Sequence, residues 1–446
     1  MLKLNPPLQY TRSTDWSGSR LINCFVEYGG GDKREQLAVL AMPGMTEWAD
    51  LGNSPIRGTH YFGGVLYAVA GSKLYSVSSL GSKTEIGTIA GTEPVAMADN
   101  GTQLCVAGGG TGYVYSGGSL TTPLGYSVSD VAYVDGYILW TVQDSDQFFI
   151  SAIDDATTYD AADIAVVEGS PDDLVGLEIS HRDVLMFGEL SLEIYYNNGA
   201  TDFPFARQGN AFIERGCFDR DSICSMDNSV FFVGNDRLAY MLDGYNPVIV
   251  STHDIAYHLG RTTTAKGFIY EKEGHKFWCL HLDDITLCYD ASTRLWHERQ
   301  SIGQENWRIN GACSAYGLML FSDGYTGKLY TASSDVFDEN GDTFAVDIYL
   351  PTIELGRERA VMYAFALVCE FGVGNGDVAD PQVMLRYSDD AGHNWSDEMW
   401  RSLGAVGAHS TQAVWRGLGQ FRQRQMHIRI TDNVRRMALS YWADLK

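Results

Sequence analysis

PIRGTHYFGGVLYAVAGSKLYSV, residues 55–77, carries the local grammar that decides the fold. An apolar strand runs into Gly63-Gly64, a β-rich strand follows as far as Gly71, and a third strand carries the Leu-Tyr pair. Glycine takes the positive φ that a tight hairpin needs, while Val, Tyr and Leu fill pleated strands. The same grammar returns at 94–115 (PVAMADNGTQLCVAGGGTGYVY) and at 311–332 (GACSAYGLMLFSDGYTGKLYTA). More worn copies occupy 130–150, 174–196, 222–241 and 265–289, the last with two strands around Asp283-Asp284. Units recur every 35–48 residues or so, about the period of propeller blades. Seven candidate units are present, or six if one is irregular. Linking stretches such as TEIGTIAGT and YNPVIVSTH supply an outer strand to each unit. Isolated hairpins bury too little surface to be stable, so the units must pack round a common axis.

The flanks read differently. INCFVEY (22–28) and QLAVLAMPG (36–44) are strands with GGGDK as a loop between them, able to add an outer strand that closes the ring. NNGATDFPFARQGNAFIERGCFDR (197–220) reads as a long polar-aromatic loop, the kind that forms interfaces. Composition changes near DVFDENGDT, and an exposed, protease-sensitive linker is expected at 335–342. Beyond it AVDIYLPTIEL, MYAFALVCEFGVG, PQVMLRYSDD, TQAVWRGLG and MHIRITD alternate apolar and polar positions, as a β-sandwich requires. The expected architecture is all-β, a six- or seven-bladed β-propeller followed by a C-terminal β-sandwich. Residues 1–55 close or flank the propeller, 56–340 form it, and 341–446 form the sandwich.

The net charge of −24 is unevenly spread. Residues 1–340 hold 43 acidic and 21 basic side chains, whereas 341–446 hold 13 and 11. Such a surface repels nucleic acid and anionic membrane, which suits either plain solubility or a wall that DNA slides past. The eight cysteines form no CxxC pair and sit among apolar residues, as buried free thiols of a reducing cytoplasm do. The first 15 residues lack a signal-peptide core, and no apolar run reaches the ~20 residues of a membrane span. A soluble chain without an export signal is expected.

One motif invites a catalytic reading. RYSDDAGHNWS (386–396) fits S-x-D-x-G-x-x-W through Ser388, Asp390, Gly392 and Trp395. This Asp-box turn is common in sialidases and other carbohydrate-acting propellers. Its residues already have structural work, with Gly at positive φ, Asp on backbone amides and Trp over the hairpin base. There is no GxSxG, GxxxxGK[ST] or HExxH, and GGGTGY (108–113) joins strands rather than opening a helix. The Asp-Asp pairs at 154–155, 172–173, 283–284 and 389–390 place neighbouring carboxylates on opposite faces or in solvated loops. In LWHER, Trp296 is expected to pack while His297, Glu298 and Arg299 face water. Arginines concentrate at Arg416, Arg422, Arg424, Arg429, Arg435 and Arg436, either a solvated face or a contact surface for the acidic propeller of another subunit. No catalytic residue, cofactor or metal ligand is assigned.

The whole chain resembles the packaged-DNA stabilisation proteins, the tail hub or head-completion proteins of short-tailed phages. RLINCFVE (20–27), PGMTEW (43–48), PVAMADNGTQL (94–104), DFPFARQGNAFIERGC (202–217), DNSVFFVGNDR (227–237), YEKEGH (270–275), LWHER (295–299) and DPQVMLRYSDDAGHNWS (380–396) carry the resemblance together, in this order. It implies a non-enzymatic virion protein, a nozzle subunit assembled as a ring of six copies below the portal and its adaptor. Such a ring retains packaged DNA, without sequence-specific binding, and supports the tailspikes and the plug or tail needle. Synthesis is then in the host cytoplasm and residence in the phage tail, with the end at Lys446 read as a shortened variant. The alternative is a glycan-acting or glycan-binding propeller of sialidase-like type. That reading wants an Asp-box in several blades and an arginine cluster with a Tyr–Glu pair, whereas the good Asp-box lies outside the repeats.

Overall fold

A computed structural model describes residues 19–29, 37–52, 54–167 and 169–446. The N-terminal 15 residues and all of the GGGDK loop except Gly29 lie outside the described residues.

Repeated hairpin grammar becomes repeated sheets. Six separate four-stranded antiparallel sheets, and one four-strand run at the end of a larger sheet, make seven blades among the described residues. Blade 1 runs from Ile56–Phe62 to Lys83–Thr88, with its first hairpin turned by Gly63 and Gly64 at φ +58° and +77°. The first strands of the next six blades are Ala96–Asp99, Val128–Val134, Leu174–Ser180, Cys224–Met226, Lys266–Lys272 and Ile309–Ala315. Each stands against the next, and the last packs against Ile56–Phe62, so the ring is closed.

The N-terminal segment threads through both domains. Gly44–Asp50 is the outer strand of blade 7, antiparallel to Lys328–Ser333. Arg20–Ile22 bridges the domains, parallel to Leu295–Arg299 of blade 6 and antiparallel to Val346–Tyr349. Blade 6 therefore continues into one sheet of the sandwich, through Gln423–Ile430 and Gln382–Ser388 to Met399–Ser402. The facing sheet takes Cys24–Tyr28 and Leu37–Ala41 beside Met437–Leu445, Ala360–Cys369 and Ala413–Arg416. The two strands expected to close the ring thus belong to the sandwich sheet, and the strand after them does the closing. One apolar core spans the seam, joining Phe268, Tyr270, Trp307 and Phe321 to Phe25, Phe344, Phe365 and Trp415.

Three local readings are corrected. Within 197–220, Phe205–Ile213 is the outer strand of blade 4, not loop; a register shift beside Tyr195 and a central Gly209 obscure its alternation. The linker at 335–342 is pinned, because Gly44 and Met45 donate backbone bonds to Val336 and Asp338 (2.9 Å each) and buried Glu339 accepts from Trp307 Nε1 (2.8 Å). In LWHER, His297, Glu298 and Arg299 are buried with Trp296, because Arg20–Ile22 covers the edge that strand would otherwise present to water. Glu298 takes a bidentate bond from Arg20 (2.9 and 2.6 Å), and the Arg299 guanidinium lies 3.9 Å from the centre of the Trp307 ring. A short helix, His253–Leu259, links blades 5 and 6 and has no counterpart in the expected pattern.

Candidate functional site

The Asp-box lies between Gln382–Ser388 and Met399–Ser402 in the sandwich, and its own backbone absorbs the motif's polar groups. Ser388 Oγ donates to Asp390 Oδ1 and accepts from Gly392 N–H (2.8 Å each). Asp390 accepts the backbone N–H of Asn394 (2.8 Å) and its side-chain amide (2.6 Å). These bonds, the Asn394 backbone N–H first, hold its carboxyl down to about 2. Trp395 Nε1 donates to Gly392 O (3.0 Å), and the ring packs on Tyr349 and His427. A carboxylate so occupied is a poor general acid. The nearby His427 is tied on both sides: Nε2 faces buried Asp347 (2.5 Å), and Arg386 Nε donates to Nδ1 (2.8 Å). Burial pushes its pKa down, which fits the neutral imidazole this arrangement requires.

The arginines divide sharply. Arg416 and Arg422 are exposed and make no ion pair among the described residues, as a contact surface needs. Arg424 is not on that surface: it is 1% exposed, binds Asp389 bidentately (2.6 and 2.7 Å), donates to Leu418 O and lies over Tyr387 and Phe421. Arg429 is half-buried and bidentate to Asp347 (2.7 and 3.0 Å). Arg436 is buried against the carbonyls of Asp432 and Phe337, and exposed Arg435 pairs with Glu370. Exposed Arg416, Arg422 and Arg435 lie outside Gln423–Ile430, whereas Arg424 and Arg429 sit within that strand, flanked by Gln382–Ser388 and Val346–Tyr349, where a charge needs a partner.

The Asp-Asp pairs are structural too. Asp155 caps Thr157 and Thr158, Asp172 accepts from the Leu190 and Ser191 amides, and Asp283 accepts from Thr263 and Thr264. Among the described residues no three His, Cys, Asp or Glu side chains are grouped to hold a metal ion, and no helix is long and apolar enough to cross a membrane.

The axis of the propeller holds what the sequence pattern did not single out. First strands of the blades line a cavity of about 580 Å³, and a second of about 520 Å³ lies beside it. Arg220 borders both. From the link between blades 4 and 5 it reaches Ser129 O and Pro94 O of other blades while pairing with Asp221. Glu93, Asp144, Asp173, Glu189 and Asp219 surround the second cavity, so that mouth is acidic. In the first cavity burial pushes the Glu178 carboxyl up to about 7 and the Lys266 ammonium down to about 8. The available signal was a cation on the first strand of a unit, at Arg57 and Lys266, where apolar or small residues are the rule.

A closed ring of blades sharing its core with a sandwich defines a propeller–sandwich protein. The chain belongs to the bacteriophage P22 Gp10 family: the family's β-propeller matches residues 9–336 and its β-sandwich matches residues 346–443. The resemblance read from the sequence is borne out, as is the fold class. The tail hub protein gp10 of Salmonella phage P22 is 24% identical over 282 residues, which cover 57% of this chain and 58% of that protein. The match therefore spans less than two thirds of that relative's length. Among solved structures, streptogramin B lyase (TM-score 0.46, 13% identity) and the WD40 β-propeller domain of Doa1 (0.41, 12%) each cover 65% of this chain and 97% of their own.

Proposed function

We propose that this chain is a structural, non-enzymatic subunit of the tail hub of a short-tailed phage virion. The observation that carries the reading is the match to both family domains, in order, across nearly the whole chain. Its copies form a ring, six in number, below the portal and its adaptor. The ring retains packaged DNA and supports the tailspikes and the plug or tail needle. Charge supports the conduit role: an acidic wall excludes phosphate instead of binding it, so DNA leaves without a cationic grip. Exposed Arg416 and Arg422 meet the acidic face of a neighbouring subunit, steering orientation and on-rate more than affinity.

The test adds purified chain to portal–adaptor particles and follows ring formation by electron microscopy and DNA retention by nuclease protection. Rings that seal the particles support the reading; a chain that binds DNA tightly, or never joins the particles, overturns it. Replacing Arg416 and Arg422 by Glu leaves the monomer's stability unchanged and slows incorporation about tenfold at low salt, with the defect shrinking as salt screens it. Equal incorporation of that variant at every salt concentration removes the two arginines from the interface.

A further inference from the structure

The central cavity contains polar groups that the fold does not satisfy. Ser322 is 2% exposed and its Oγ has no protein partner; Asn310 Oδ1, also shielded from solvent, has none. Both residues border the cavity, as does Lys266, whose ammonium has no ion-pair or hydrogen-bond partner among the described residues. Arg57, 4% exposed, spends its guanidinium on carbonyls of Glu93, Gly71 and Ala90 and has no carboxylate partner. The acids around them are already engaged. Asp221 pairs with Arg220, Asp99 with His60 (2.7 Å), Asp130 accepts from Leu177 N–H (2.9 Å), and burial leaves Glu178 partly protonated near neutral pH. Native proteins seldom leave buried polar atoms unpaired. One cation, one acceptor and one hydroxyl left over in a single cavity of ligand size, about 580 Å³, form a complementary set.

We propose that this cavity binds a small hydroxylated carboxylate, the chemistry of a uronic acid. The ligand's carboxylate pairs with Lys266 Nζ, one of its hydroxyls donates to Asn310 Oδ1, and Ser322 Oγ donates to a ring or hydroxyl oxygen. Arg57 adds positive potential without direct contact. A neutral sugar forgoes the ion pair, and inorganic phosphate lacks the carbon-bound hydroxyls that Asn310 and Ser322 would meet. The site is separate from the proposed ring contacts, so its failure leaves the tail hub reading intact.

Titration calorimetry on the full chain, with glucuronate, glucose and inorganic phosphate as probes, tests the proposal. Glucuronate binds at one site, at least about tenfold more tightly than glucose or phosphate, the margin of one charged hydrogen bond. Its affinity falls as pH rises through about 8, where Lys266 loses its proton. Burial lowers that titration first, Asp221 opposes it, and Arg220 and Arg57 add to it, with His281 opposite Lys266 on the neighbouring strand. Lys266→Met abolishes the preference for the acid, and Ser322→Ala weakens glucuronate about threefold to tenfold without changing the folded spectrum. If Lys266→Met fails to fold, Ser322→Ala and Asn310→Ala decide alone. Glucose or phosphate binding as tightly as glucuronate, no saturable heat up to about 10 mM ligand, or indifference to all three substitutions overturns it.

Discussion

Blade 1 ends in Lys83–Thr88, whose side chains are mostly exposed, whereas blade 6 ends in Leu295–Arg299, buried from Trp296 onward. Both strands carry charged residues, KTEIGT in one and LWHER in the other. Composition does not separate them; a neighbour does. Among the described residues the outer edge of blade 1 has no further strand, while that of blade 6 pairs with Arg20–Ile22 and passes into the sandwich. A charge on the first edge is solvated, but a charge on the second needs a partner inside the protein. The partners are present, Arg20 for Glu298 and Glu339 with the Trp307 ring for Arg299.

The contrast breaks if equivalent substitutions have equivalent effects. Arg299→Ala leaves Glu339 buried without its cation and opens space over Trp307, and should cost about 3–5 kcal/mol in chemical denaturation. Its counterpart on blade 1, Glu85→Ala, removes a solvent-exposed pair with Lys73 and should leave the denaturation midpoint where it was. A similar shift in both would mean that the seam is no more committed than a free edge.

A smaller effect sharpens the seam's electrostatics. His275 of blade 6 faces Asp290 (2.7 Å) and, through its other nitrogen, Glu27 of the sandwich sheet (2.8 Å). These bonds, Asp290's first, push its pKa up to about 9. A raised folded pKa contributes stability in full below the unfolded value near 6.5, lost as pH rises through about 9. The loss should be about 1–2 kcal/mol, since half-exposed Glu27 is screened by solvent. Denaturation at a series of pH values should show that decline in the wild type and a flatter profile in His275→Gln.

The smallest effects belong to the Asp-box, whose polar bonds close within the turn itself. Gly392 sits at φ +86°, so Gly392→Ala should cost about 1 kcal/mol through backbone strain alone. Asp390→Ala should act locally, speeding amide exchange at Gly392 and Asn394 with little change in global unfolding. Protection that survives Asp390→Ala would show that the turn does not depend on its carboxylate.

Features written into neighbouring residues were legible from the sequence. The hairpin grammar around Gly63-Gly64, the change of pattern after Ser333 and the Asp-box all lie within a few residues of the structure they specify. Pairings between distant segments were not. Nothing near LWHER announces that Arg20–Ile22 will cover it, so the local pattern wrongly sends His297, Glu298 and Arg299 to water. In the approach to MHIRITD the arginines were counted together, and Arg424 was misplaced because its partner Asp389 lies on another segment of the chain. Arg220 sits in an irregular link where no periodicity points, and its reach to Ser129 and Pro94 depends on the closed ring.

Closure by Gly44–Asp50 also sets an order in time. Ala49 pairs with Leu329, so the strand that completes blade 7 leaves the ribosome about 280 residues before its partner. At roughly 10 residues per second, the early strand waits about half a minute with its hydrogen-bonding edge unpaired. The intervening blades can form as they emerge, because each is built from consecutive hairpins. The last step joins segments far apart in the chain and is the slow one. During that wait Gly44–Asp50 and the open edge of Lys328–Ser333 can pair between two chains as readily as within one. Yield of the folded protein should therefore depend on how many chains are being made close together, a limit imposed by the closure that later makes the ring secure.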